Sequence, residues 1–313
     1  AAETALIDWN DKRLQQFGYL GLRARQVVEG FITGLHKSPF HGFSVEFSEH
    51  RQYNSGESTR FIDWKLFARS EKLFIKRFEE ETNLRCRIII DGSASMLFPG
   101  DSSKPQELQS KYHFSVFLAA IFMIIFRQQR DAVGLSLVNK ELETHTAAKS
   151  TFIHHQYLMS ILQQHLEKIK KEPAPETQLV PALHEIAERI HRRSMVIIFS
   201  DLFDAAHNPD ALLDALQHLR HNGNEVIIFH TLDKKFEEDF EFGNMPHKFI
   251  DLENRSVIKI RPAEVREMYQ KNFAKLMNEI RTKSPQYGVD YIEADLNLGL
   301  EGVLLPFFAR RRL

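Results

Sequence analysis

Hydrophobic and polar residues form two kinds of pattern along this chain, one typical of β-strands and one typical of α-helices. Strand-like apolar runs, rich in Ile and Val, occupy five short segments: 85–90, 132–138, 195–199, 226–229 and 289–292. Helical patterns lie before and between them, over 20–35, 112–128, 157–169, 179–190, 208–219 and 265–280. Strands that alternate with helices predict an α/β fold: a doubly wound, mostly parallel sheet covered by helices on both faces.

The first part of the chain has a different pattern. Residues 43–53 and 73–79 are extended, and the dense charge between them is interleaved with aromatic residues. We expect residues 1–84 to form an N-terminal helix-plus-strand elaboration packed on a main domain of residues 85–313. Arg60, Asp63, Trp64 and Arg69 are candidates for a binding surface, but ion pairs and packing within the fold explain them equally well. A hairpin is expected over 249–260, with its turn at 253–254.

Composition narrows the class of protein. The 313 residues are 43% hydrophobic, which is enough for a large core. Lys and Arg (41) nearly balance Asp and Glu (42), so no overall field favours nucleic acid or an anionic membrane. The single cysteine, Cys86, excludes an internal disulfide framework. The apolar run over 114–126 is shorter than the roughly 20 residues that span a bilayer, and no signal peptide is apparent. We therefore expect a cytoplasmic protein without a membrane span.

Polar side chains follow two of the predicted strands. Asp91, Ser93 and Ser95 come directly after the first strand, and a carboxylate with two hydroxyls suits a hard cation such as Mg²⁺. Asp201 follows the strand at 195–199, and Thr177 precedes a helix. The same residue types are common in turns and as helix caps, so spacing alone leaves both interpretations open.

The five residues in this order resemble the metal-ion-dependent adhesion site of von Willebrand factor A domains. Segments 36–53, 56–82, 91–96, 176–187 and 197–204 also resemble the bacterial domain-of-unknown-function 58 family, which has an A-domain-like core. The resemblance implies one divalent cation, Mg²⁺ first and Mn²⁺ or Ca²⁺ as alternatives, surrounded by Asp91, Ser93, Ser95, Thr177 and Asp201. One departure is Glu176, where a glycine usually precedes the loop threonine.

The same resemblance implies a binding module rather than an enzyme. In A domains the cation accepts an acidic residue of a protein partner, and such bacterial proteins are associated with MoxR-type AAA+ ATPases in chaperone-like assembly or maturation of protein complexes. Two alternatives remain. A Mg²⁺-dependent hydrolase or phosphatase would use the same pocket, although Ser93 stands where a haloacid-dehalogenase-like phosphatase has its second aspartate. The second is a metal-free scaffold in which the site is intact but empty, and a basic side chain in the cation position would support it.

One further expectation concerns the end of the chain. The run Arg310, Arg311 and Arg312 could contact an acidic partner, but a solvated tail is the simpler expectation.

Overall fold

The computed structural model describes residues 18–32, 45–53, 62–70, 72–80, 84–169, 178–203, 208–243, 245, 247–250 and 257–311. Its strands are β1 (Val45–Gln52), β2 (Phe74–Glu80), β3 (Arg85–Asp91), β4 (Ala132–Val138), β5 (Leu142–His145), β6 (Met195–Ser200), β7 (Glu225–Leu232), β8 (His247–Ile250), β9 (Val257–Ile260) and β10 (Val289–Asp295). Its helices are α1 (Gly18–Ile32), α2 (Trp64–Ser70), α3 (Lys111–Gln128), α4 (Phe152–Ile169), α5 (Leu179–Arg189), α6 (Pro209–His221), α7 (Pro262–Gln286) and α8 (Gly299–Arg311).

Six strands form the main sheet in the order β10-β7-β6-β3-β4-β5. All neighbours are parallel except β5, which runs antiparallel to β4 at one edge. The predicted doubly wound, mostly parallel α/β fold is therefore confirmed. β8 and β9 pair antiparallel, as the predicted hairpin requires, while its turn at 253–254 lies outside the described residues. β1 and β2 also pair antiparallel.

The two faces of the sheet carry separate apolar cores because successive strand residues point to opposite sides. In β3, Ile88 and Ile90 pack in a core with residues of α1, α3, α4 and α8. Ile89 packs on the other face with residues of α5, α6 and α7. Helix α1 thus shares a core with the main sheet, and the domain division at residue 84 stays a prediction.

Three elements were not predicted: α2, β5 and α8. Asp63 begins α2, since its Oδ1 accepts hydrogen bonds from the main-chain N–H groups of Lys65 and Leu66, each at 3.0 Å. The expectation of a solvated tail is wrong for Arg311. This residue ends α8, forms an ion pair with Glu225 and lies 3.2 Å from Asp290, while Arg312 lies outside the described residues.

Asp63 therefore has a structural role, as a helix cap. Trp64 and Arg69 are exposed on α2, and Arg60 lies outside the described residues. None of the helices in the described ranges combines the length and the apolarity needed to cross a membrane. The cytoplasmic location stays a prediction.

The helix α3 supplies the centre of one core. The ring of Phe122 lies about 5 to 6 Å, centroid to centroid, from five other phenylalanine rings: Phe126, Phe199, Phe229, Phe307 and Phe308. These rings come from α3, β6, β7 and α8, so one side chain joins two strands and two helices. Such aromatic contacts contribute beyond the area that they bury.

We predict that Phe122→Ala lowers the free energy of unfolding by about 3–5 kcal/mol, because it leaves a cavity among these rings. Phe152→Ala is the matched control, since Phe152 is half exposed, and should lower it by less than about 1 kcal/mol. Urea denaturation followed by circular dichroism measures both. Similar losses in the two variants would contradict the central role of Phe122.

Candidate functional site

Four adjacent strands of the main sheet end in an aspartate at the same edge. Asp91 and Asp295 are the last residues of β3 and β10, and Asp201 and Asp233 directly follow β6 and β7. All four side chains are buried. Asp91 and Asp201, which we singled out from the sequence, thus follow neighbouring parallel strands, with Ile90 opposite Phe199. This carboxyl edge is where ligands of open α/β sheets gather.

Hydrogen bonds hold the loop after β3 against the loop after β6. The Oδ1 atom of Asp91 accepts from the main-chain N–H of Ser93 at 2.9 Å, and its Oδ2 accepts from the hydroxyl of Ser200 at 2.6 Å. The Ser200 hydroxyl in turn accepts from the N–H of Leu202 at 2.9 Å. A carboxylate offers about four lone-pair sites, so these two bonds are compatible with cation binding.

The hydroxyls of Ser93 and Ser95 form a hydrogen bond with each other, with their Oγ atoms 3.1 Å apart. Ligands in neighbouring positions of an octahedral Mg²⁺ site are also about 3 Å apart, because each lies 2.0–2.1 Å from the ion. The donor chemistry of Asp91, Ser93 and Ser95 and the spacing of the two hydroxyls therefore fit a hard divalent cation. Thr177 lies outside the described residues, so its place at the site stays a prediction.

The fourth candidate, Asp201, is held by a lysine that sequence analysis did not single out. The ammonium Nζ of Lys111 lies 2.7 Å from Asp201 Oδ2 and 2.5 Å from Glu237 Oε1. The rings of Phe203 and Phe98 lie 4.9 and 5.8 Å from the same atom. Lys111 has no solvent exposure. A basic side chain is thus bonded to a residue of the expected metal site.

This ammonium is charged. Burial alone would lower the pKa of Lys111, but the carboxylates of Asp201 and Glu237 outweigh it, and the pKa is raised above its usual value. Glu237 Oε2 also accepts from the N–H of Asp233 at 2.7 Å. Burial raises the pKa of Glu237 although Lys111 opposes that shift. The lysine thereby ties α3 to the loops after β6 and β7.

Charge at this edge is not balanced by Lys111 alone. Five carboxylates are buried at this edge, those of Asp91, Asp201, Asp233, Asp295 and Glu237, and Lys111 is bonded to two of them. In the described part of the chain, no group of three or more His, Cys, Asp or Glu side chains is arranged to hold a metal. A cation at Asp91 would therefore rely on the serine hydroxyls and on water, which Mg²⁺ usually keeps.

One histidine lies close to the site. The Nε2 of His230 lies 3.1 Å from the carbonyl oxygen of Asp201, and its Nδ1 lies 2.6 Å from the hydroxyl of Tyr291. Because a carbonyl only accepts, Nε2 carries the proton and Nδ1 accepts from the tyrosine. Burial lowers the pKa of His230 to about 4, so the ring is neutral at pH 7.

A family model described as "Protein of unknown function DUF58" matches residues 49–279. The chain belongs to the DUF58 family. This DUF58 protein is 25% identical over 183 residues to the uncharacterized protein Rv1480 of Mycobacterium tuberculosis strain H37Rv, a match that covers 58% of this chain and 55% of the relative. The chain thus spans about half the length of the curated relatives it matches.

Solved structures of low similarity were also found. The conserved hypothetical protein BatB from Bacteroides thetaiotaomicron is 13% identical, with a TM-score of 0.42, and the match covers 73% of this chain and 98% of BatB. The SpRpn10 VWA domain is 11% identical, with a TM-score of 0.30, over 48% of this chain and 76% of that domain. The family description names no function, so the function of this DUF58 protein is inferred from its site.

We predict that Lys111→Met lowers the free energy of unfolding by about 3–5 kcal/mol, because it leaves Asp201 and Glu237 buried without their cation. The exposed Lys140 provides the matched control, and Lys140→Met should change stability by less than about 0.5 kcal/mol. Combining Lys111→Met with Asp201→Asn and Glu237→Gln should recover part of the loss, since no unpaired charge of the triad then remains. Thermal and urea denaturation at pH 7 measure all variants. A loss below about 1 kcal/mol for Lys111→Met would contradict the buried ion triad.

Proposed function

We propose that this DUF58 protein is a non-enzymatic protein-binding module whose recognition site is the carboxyl edge of the sheet. The site would take a divalent cation, Mg²⁺ first and Mn²⁺ or Ca²⁺ as alternatives, on Asp91, Ser93 and Ser95. The observation that carries the proposal is the pair of serine hydroxyls 3.1 Å apart, in a loop held by the carboxylate of Asp91. A bound divalent cation offers an open coordination position to a carboxylate of the partner.

The residues of the site have different roles in this proposal. Asp91 supplies the negative charge, and Ser93 and Ser95 supply neutral oxygens. Asp201 would support the site without being a direct ligand of the cation. Lys111 binds one of its oxygens, and the N–H of Phe203 donates to the other at 3.2 Å. Thr177 remains a further candidate ligand. The buried edge disfavours hydrated bulk anions and favours a carboxylate that a complementary protein surface presents.

A metal-free binding module is the second candidate, and Lys111 is the observation that favours it. Its ammonium already provides a positive charge to Asp201 and Glu237, as a built-in cation would. In that case the edge would recognise its partner by shape and hydrogen bonding, and added Mg²⁺ would have no effect.

No comparable observation favours the hydrolase. Such an enzyme needs a general base beside the reacting groups. His230 uses both ring nitrogens in hydrogen bonds inside the protein, so it has no lone pair to offer a substrate or a water. Carboxylates can also act as bases, but Asp201 and Glu237 are paired with Lys111, and we assign Asp91 to the cation. We therefore propose a binding function and no catalytic residue.

The partner class rests on the family resemblance. We propose an acidic residue on a protein partner, and a MoxR-type AAA+ ATPase as the first partner to test, with chaperone-like assembly or maturation of protein complexes as the process. The description of the DUF58 family itself names no partner and no process.

Titration calorimetry of Mg²⁺ and Mn²⁺ into metal-stripped protein tests whether the site binds a divalent cation. We predict saturable binding to the wild type and loss of binding in Asp91→Asn, because the charged ligand becomes a neutral amide. Asp214→Asn, on the exposed surface of α6, is the matched control and should bind as the wild type does. Circular dichroism first establishes that each variant is folded.

The two binding candidates give different results. Absence of binding to the wild type would reject the divalent-cation proposal and favour the metal-free module. Co-sedimentation of the same three proteins with a MoxR-type AAA+ ATPase, with and without EDTA, then tests whether partner binding follows metal binding.

A further inference from the structure

A basic cleft lies at the opposite, amino edge of the sheet. It has a volume of about 310 Å³ and is lined at the start of β3, at the end of β5 and at the junction of α5 and β6. Within the described part of the chain, its lining contains no Asp or Glu. The lining residues that carry polar or charged groups include Arg85, Arg87, His145, Arg189, His191 and Ser194.

Arg87 is the buried member of this lining. Arg87 belongs to strand β3, and only 5% of its surface is exposed. Its Nη1 donates to the carbonyl oxygens of Leu135 at 3.1 Å and Thr146 at 2.6 Å, and lies 3.4 Å from the hydroxyl of Ser136. These partners are neutral, and Nε is buried with no acceptor among the described residues. A buried guanidinium without a counter-ion is unfavourable.

The neighbouring strand, β4, has a glycine at the position where the guanidinium of Arg87 lies. Gly134 of β4 is in register with Arg87. A Cβ atom at Gly134 would lie 2.7 Å from Cζ, Nη1 and Nη2 of Arg87, closer than such atoms approach. The glycine therefore leaves the space that the planar group occupies, and a side chain there would displace it.

Positive charge concentrates around the cleft. Arg85 is exposed and forms no ion pair within the described ranges, whereas Arg189 forms one with Glu185 on the same helix. Burial lowers the pKa of His145 to about 4, and the charges of Arg87 and Arg189 add to that shift. His145 is therefore neutral at pH 7. The arginines give the cleft a positive electrostatic potential, which favours binding of an anion.

We propose that this cleft binds a small phosphate-type oxyanion, either free phosphate or the phosphate group of a small phosphomonoester. A guanidinium group is positively charged, and its planar fork of N–H donors can bind two oxygens of a phosphate at once. The volume of the cleft suits a small ligand rather than a polymer. This site is separate from the carboxyl edge, so the proposal does not rest on the proposed function.

Titration calorimetry with inorganic phosphate, on metal-stripped protein at pH 7, tests the proposal. We expect saturable binding to the wild type and at least about tenfold weaker binding to Arg87→Met, because a charge-assisted hydrogen bond is lost. Lys271→Met removes a charge from the exposed surface of α7 and should leave the affinity unchanged. Arg87→Met should fold, since an apolar side chain replaces a buried cation that has no counter-ion. Circular dichroism checks this.

A second variant and a second readout keep the test decisive. Gly134→Ala displaces the guanidinium without changing any charge, and it should also weaken phosphate binding. Bound phosphate should raise the pKa of His145 in the wild type, which NMR titration of the ring measures. Glycerol 3-phosphate binding more tightly than phosphate would identify a phosphomonoester as the source, and equal or weaker binding would identify free phosphate. No saturable binding, or equal affinities in the wild type, Arg87→Met and Gly134→Ala, would overturn the proposal.

Discussion

The buried ammonium of Lys111 is the interaction on which the carboxyl edge depends. A lysine at the first position of α3, inside the protein, is tolerated only when its charge is paired. Asp201 and Glu237 provide that pairing, and they come from the loop after β6 and from the helical turn after β7. The lysine thus fixes three parts of the fold at one point. Asp201 is paired with the lysine, whereas Asp91 accepts hydrogen bonds from Ser93 and Ser200. The two aspartates therefore have different surroundings, although they lie at the ends of neighbouring strands.

The parallel strands give the sheet two edges of opposite charge. Strand β3 begins with Arg85 and Arg87, at the basic cleft, and ends with Asp91, at the acidic edge. The strand is seven residues long, with Arg85 as its first residue and Asp91 as its last. Each edge contains a buried charged group, Arg87 at one and Asp91 at the other, and burial strengthens the interaction of such a group with a ligand of opposite charge. A cation at one edge and an oxyanion at the other would bind to the same rigid element.

Local sequence pattern was sufficient to predict the five parallel strands of the main sheet, but not the edge strand β5 or the charge pairs around the sheet. Apolar runs such as Ile88 to Ile90 predicted the buried strands, and the polar residues after them predicted that Asp91 and Asp201 end neighbouring strands. Helix α8 was not predicted, and it contains Pro306, a residue that ordinarily argues against a helix. The role of Lys111 could not be predicted, since its partners lie 90 and 126 residues away in sequence. Arg87 was missed for the same reason: its cleft is assembled from distant segments.

Anomalous diffraction from crystals soaked in Mn²⁺ tests the central claim most directly. The claim is that the carboxyl edge is divided, with a divalent cation on the Asp91 side and Lys111 retained on Asp201. It predicts a manganese peak beside the oxygens of Asp91, Ser93 and Ser95, with the ammonium of Lys111 still bonded to Asp201 and Glu237. A carboxyl edge without a manganese peak, or a peak that replaces the lysine on Asp201, would contradict it.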